Sequence, residues 1–164
     1  GTDAAARDVL VFELGRDHRL VIRPSGTEPK TKIYAEAIVP AGADVAASLR
    51  QAEQEATDLA ADFVQQALAL IGLELPDAGL HCSPLLGIEE RIAFGAEILP
   101  AALEAASAPD ASADRVVAGV RASLKSLGGD AVGLTAPGWR WWLAREGAQL
   151  APPARQMLQQ VWGS

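Results

Sequence analysis

The chain has 164 residues, with 21 acidic side chains against 14 basic ones and a formal net charge of −7, which argues on general electrostatics against a nucleic-acid binder. No stretch of about eighteen apolar residues runs without charge, so no membrane span is expected. One cysteine, Cys82, excludes an internal disulfide and fits a reducing cytoplasm, and the absence of asparagine excludes an N-glycosylation sequon.

Chain order gives strands first. Residues 9–14 set Leu10, Phe12 and Leu14 against Val9, Val11 and Glu13, the alternation of a strand with one buried face. Gly15, Arg16, Asp17 and His18 read as a hairpin turn, residues 19–23 as a second strand, and residues 32–39 as a third. In the third, Ile33, Ala35 and Ala37 share one side and Lys32, Tyr34 and Glu36 the other. Strands this close in sequence favour an antiparallel meander. Pro40, Ala41 and Gly42 break the sheet and Asp44 is a helix N-cap candidate. Val45, Leu49, Ala52, Ala56, Leu59, Phe63, Ala67 and Ile71 then recur at helical spacing, an amphipathic helix that can cover the sheet and that Gly72 closes. The fold class this predicts is α+β, a small antiparallel sheet under one long helix.

Beyond residue 76 the character changes, giving an expected division into residues 1–76 and 77–164. Pro76, Asp77, Ala78 and Gly79 begin a connector. Ile88, Ile92, Leu99 and Leu103 mark a helix that Pro100 should kink or end. Residues 107–112 read as a linker, and Val116, Val117, Val120, Leu124 and Leu127 mark a helix capped by Ser112 or Asp114 and stopped by Gly128 and Gly129. A last helix runs over residues 152–162. Between these, Trp139, Trp141 and Trp142 need a surface to bury against. The readings are the core of a small helical domain, an exposed anchor for a partner, or, faintly, a winged-helix-like unit, against which the sparse positive charge argues.

The densest chemistry lies in Arg23-Pro24-Ser25-Gly26-Thr27-Glu28-Pro29-Lys30. Arg23 offers a planar fork matched to two phosphate oxygens. Ser25 and Thr27 add hydroxyl donors, and Gly26 lets backbone N–H groups approach an anion. Pro24 and Pro29 restrict the loop before any ligand arrives. The same composition also suits an ordinary turn. With Arg19, Lys30 and Lys32, Arg23 forms the cationic cluster of an acidic half: residues 1–80 carry −6 and residues 81–164 carry −1.

This string, entered from Val9-Leu10-Val11-Phe12-Glu13-Leu14 and Leu20-Val21-Ile22 and left through Lys32-Ile33-Tyr34-Ala35-Glu36, closely resembles the C-terminal domain of the α-D-phosphohexomutases, the phosphoglucomutase and phosphomannomutase superfamily. The resemblance covers about residues 7–75. It implies the last of four domains, in which the loop grips the phosphate that is not transferred while a hexose phosphate interconverts between its 1- and 6-phosphate forms. Carried over, Arg23, Ser25, Gly26 and Thr27 are the phosphate contacts, and Lys32 is near enough to join them. Thr31 departs from the aliphatic residue more usual there, which puts packing in question rather than chemistry. The resemblance also implies a phosphorylated serine, a Mg²⁺ held by an Asp-rich loop and a sugar-reading loop in other domains. None of these is in the sequence, so the chain alone is expected to be catalytically inert and to bind no metal itself. Its implied partners are a sugar phosphate and the remaining mutase domains.

Other candidates carry less. His18 and His81 fall in turns and read as solvated; His81 with Cys82 offers two ligands, too few for a metal site. Glu89-Glu90 reads as the acidic first turn of a helix, and Glu53 with Glu55 as a solvated face. A chain that starts at Gly1 rather than Met, with no apolar run over residues 1–7, suggests an artificial start. The alternative to a mutase domain is a non-catalytic phosphate-binding or protein-interaction module with a Trp-rich helical partner surface; an upstream Ser-His motif and Asp-rich metal loop separate the two.

Overall fold

A computed structural model describes residues 8–25 and 31–163. The chain divides into two compact units, residues 1–67 and 68–164.

The first unit is α+β. Strands β1 (Leu10–Leu14), β2 (His18–Pro24) and β3 (Thr31–Ala37) form an antiparallel sheet in the order β1-β2-β3. Leu14 pairs with His18, so residues 15–17 make the hairpin turn, where Gly15 adopts φ 73°. The Ile38 N–H donates to the Asp17 carbonyl at 2.7 Å and the strand ends there, short of the expected residue 39. Helix α1 (Val45–Ala69) opens at Asp44, whose carboxylate accepts from the Ala47 N–H at 3.0 Å. It closes at Gly72, φ 74°, with the Leu73 N–H bonded to the Leu68 carbonyl.

Register fixes the two faces of this sheet. Leu10 opposes Ile22 and Phe12 opposes Leu20, while Ile33 and Ala35 lie across from Ile22 and Leu20. That face looks towards α1: Phe12 and Phe63 rings lie 6.4 Å apart, and His18 Nε2 is 3.1 Å from Glu55 Oε2. Among the described residues only Leu20 and Ile22 of this unit are buried, and none of α1 is. Full burial of such a side chain contributes about 1.5–3 kcal/mol. Three strands and one helix therefore leave a thin core, with Leu10, Phe12 and Leu14 half-exposed.

The second unit is helical: α2 (Asp77–Leu80), α3 (Ile88–Ala93), a π turn at Phe94–Ile98, α4 (Leu99–Ser107), α5 (Ala113–Lys125), α6 (Ala131–Glu146), a 3₁₀ turn at Gly147–Gln149 and α7 (Pro152–Trp162). The expected connector at residue 76 is the start of α2, a single turn stabilised by Arg91, whose guanidinium donates to the carbonyls of Gly79 (2.9 Å) and Leu80. Pro100 neither ends nor splits its helix. It occupies the first turn of α4, and the wide π turn just before it absorbs the change in hydrogen-bond frame that its missing N–H imposes.

The tryptophans sort by helical face. Trp139 is fully buried and stacks on Trp142, one turn along α6, at 5.7 Å and on Trp162 of α7 at 5.2 Å; Phe94 meets Trp162 edge-on. Trp139 and Trp162 are thus core. Trp141 points elsewhere, stacked on His81 at 4.5 Å with the Arg145 guanidinium 4.6 Å from its ring centre, so His81 packs against an aromatic face instead of being merely solvated. The winged-helix reading fails, because residues 131–146 are one helix despite Pro137. In that turn the Leu134 carbonyl accepts from the Ser83 N–H at 2.8 Å.

Close helix approach depends on glycine. A Cβ on Gly138 would meet the Ala78 carbonyl oxygen and Cys82 Sγ, and one on Gly95 would meet the Pro76 ring. Cys82 lies in this contact, 5% exposed, its thiol 3.4 Å from the Ala78 carbonyl. Burial pushes the thiol up to about 12, against the opposing pull of the Arg91 guanidinium and of a hydrogen bond from the Gly138 backbone. Burial likewise lowers Arg91, partly offset by Cys82.

Candidate functional site

The sheet face opposite α1 carries the polar residues. Glu13 opposes Arg19, which opposes Glu36; Val11 opposes Val21, which opposes Tyr34; Arg23 opposes Lys32. Three cross-strand rows result, and their chemistry differs from one end of the sheet to the other.

At the hairpin end the charges balance. Arg19 Nε lies 3.2 Å from Glu13 Oε1, and its Nη1 lies 3.6 Å from Glu36 Oε2. Arg19 was expected to extend the cationic cluster. With a carboxylate on each side it adds little to the field an anion would feel, and the cluster contracts towards the loop.

At the loop end two cations face each other. Arg23 and Lys32 are direct cross-strand partners, and among the described residues neither makes an ion pair. Like charges set opposite one another on a sheet are destabilising unless something neutralises them. The pair sits at the foot of the loop, since Pro24 pairs with Thr31 and the chain leaves β2 at Ser25. Ser25 is half-buried just past the strand end. Gly26 and Thr27, as well as Glu28, Pro29 and Lys30, lie outside the described residues. Of the five expected contacts, the structure therefore places three: Arg23 and Lys32 opposed on one face, and Ser25 at the mouth of the loop.

Register also shows a neighbour that residue types alone did not single out. The Arg23 guanidinium carbon is 5.8 Å from the centre of the Tyr34 ring. Tyr34 is two residues beyond Lys32 on the same face, so the diagonal contact was available from strand alternation once the pairing was known.

No group of three or more His, Cys, Asp or Glu side chains among the described residues is placed to hold a metal ion. No helix of the described residues is long and apolar enough to cross a membrane.

The geometry defines an α+β unit in which Arg23 and Lys32 oppose each other at the end of β2 and β3, with no ion pair to either among the described residues. Residues 3–66 match the family model of the phosphoglucomutase/phosphomannomutase C-terminal domain. No curated protein matches the chain. No solved structure matches it either.

Proposed function

We propose that the first unit binds the non-transferred phosphate of a hexose phosphate for a phosphoglucomutase- or phosphomannomutase-type enzyme. The observation that carries this reading is the Arg23–Lys32 pairing. A dianionic phosphate over the pair relieves the repulsion between them and takes charge-assisted hydrogen bonds from the Arg23 fork. Ser25 and Thr27 then supply hydroxyl donors, and Gly26 lets the backbone come close. Among the described residues, opposed cations without a carboxylate partner distinguish this end of the sheet from the Arg19 end.

In this reading the unit binds and orients, and performs no transfer. The phosphoserine, the Mg²⁺ and the groups that read the sugar belong to other domains of a longer polypeptide, in the cytoplasm. The half-exposed Leu10, Phe12 and Leu14 support such a setting, because a unit with two buried residues among those described gains most from further packing.

Titration of the chain with inorganic phosphate and with glucose 6-phosphate, followed by NMR, tests the proposal. Weak saturable binding that shifts residues around Arg23 and is lost in Arg23→Ala is expected. Equal binding by Arg23→Ala, or none by the parent chain, sinks it.

A further inference from the structure

The outer sheet face presents one aromatic ring, and it lies against the residue on which the phosphate site depends. Tyr34 is 46% exposed, so nearly half of the residue is open to solvent. Its centre is 5.8 Å from the Arg23 guanidinium carbon, within the range at which a cation is drawn to a ring face. Lys32 opposes Arg23 directly, while Tyr34 opposes Val21 in the next row, so Arg23 is pushed by the one and held by the other.

We propose that Tyr34 is a positioning residue for phosphate binding: its ring holds the Arg23 guanidinium on the outer face of the sheet, beside Lys32, before the anion arrives. The inference rests on the reading of Arg23 as a phosphate ligand. An exposed arginine free to sample its rotamers must give up that freedom when a phosphate binds. A guanidinium already resting on a ring has lost part of it in the free protein, and its planar fork stays available to the anion because the ring engages the face and not the N–H edges. The ring also offsets the repulsion from Lys32, which would otherwise drive Arg23 away from the shared site. Tyr34 does not touch the phosphate; it acts through Arg23.

The test compares the full chain with Tyr34→Phe and Tyr34→Leu by NMR titration with inorganic phosphate, reading affinity together with the chemical shifts of the Arg23 side-chain protons. The parent chain and Tyr34→Phe should show ring-current shifts at Arg23 and the same affinity. Tyr34→Leu should lose those shifts and bind about two- to five-fold more weakly, the range expected of an exposed cation–π contact. A merely structural role would be satisfied by leucine and would leave the phosphate affinity at the parent value. Should Tyr34→Leu fail to fold, Tyr34→Thr, suited to an exposed strand, takes its place. Parent-like affinity in the leucine or threonine variant overturns the role of Tyr34 and leaves the phosphate site standing. Absence of phosphate binding by the parent chain overturns both.

Discussion

Trp162 and Thr135 share a buried hydrogen bond: the indole Nε1–H donates to the hydroxyl oxygen at 3.0 Å, and that hydroxyl donates in turn to the Ala131 carbonyl at 2.7 Å. Thr135 is the one buried polar side chain among the described residues, and both its roles are filled. The bond ties α7 to α6 through the centre of the aromatic cluster.

Thr135→Val keeps the shape and removes the acceptor, leaving the Trp162 N–H dry and unpaired. A loss of about 1–3 kcal/mol is expected, read as a lower urea midpoint by tryptophan fluorescence. Thr135→Ser, which keeps the oxygen, should lose less. Equal midpoints for valine and parent would mean that the indole finds another partner.

Two glycines in long helices should respond in opposite directions. A Cβ at Gly119 in α5 meets nothing within 4 Å, so Gly119→Ala should stabilise by up to about 1 kcal/mol through helix propensity. At Gly138 the same methyl runs into the Ala78 backbone and the Cys82 sulfur, and Gly138→Ala should destabilise by roughly 1–3 kcal/mol. Thermal melts of the two variants check the contrast; a stabilised Gly138→Ala would show that α2 can shift away freely.

The contrast marks where sequence reasoning ran out. Both residues are glycines within helical periodicity, and nothing local separates Gly119 from Gly138, since the difference lies in what another helix brings against them. By the same token the meander, the Asp44 cap and the last helix were legible because alternation, capping and punctuation are local. That the helix continues through Pro100 was not legible, because the π turn that precedes it has no sequence signature. At the loop, Arg23 and Ser25 were legible from residue type, whereas the neutralisation of Arg19 and the Tyr34 contact required the register.

Cys82 makes the second unit sensitive to alkali. Its folded value of about 12 lies above the ordinary value of 9.0. Below pH 9 both states hold the proton and the stability is complete. Between pH 9 and 12 the unfolded thiol ionises while the native one does not, so stability falls as pH rises, by at most about 1.4 kcal/mol per pH unit. Urea midpoints measured from pH 8 to 11 should decline more steeply for the parent than for Cys82→Ala; parallel slopes would refute the assignment. The same burial predicts that the native thiol resists alkylation until urea opens the unit.

Arg19 should matter little despite its two carboxylate partners. All three side chains are substantially exposed, and ion pairs of that kind contribute about 0–1 kcal/mol. Arg19→Ala should therefore leave both the melting temperature and phosphate affinity close to those of the parent, while Arg23→Ala loses phosphate. A large loss of phosphate affinity in Arg19→Ala would place the anion nearer the hairpin than the pairing of Arg23 with Lys32 indicates.

The distribution of rings has a practical consequence. All four tryptophans, Trp139, Trp141, Trp142 and Trp162, belong to the helical unit, and the chain's single tyrosine, Tyr34, belongs to the sheet. Each half thus carries its own chromophore. Indole emission follows the melting of one half, and subtracting the spectrum of a chain without Tyr34 isolates a phenol signal from the other, so the order in which the two halves come apart can be watched in a single unlabelled molecule.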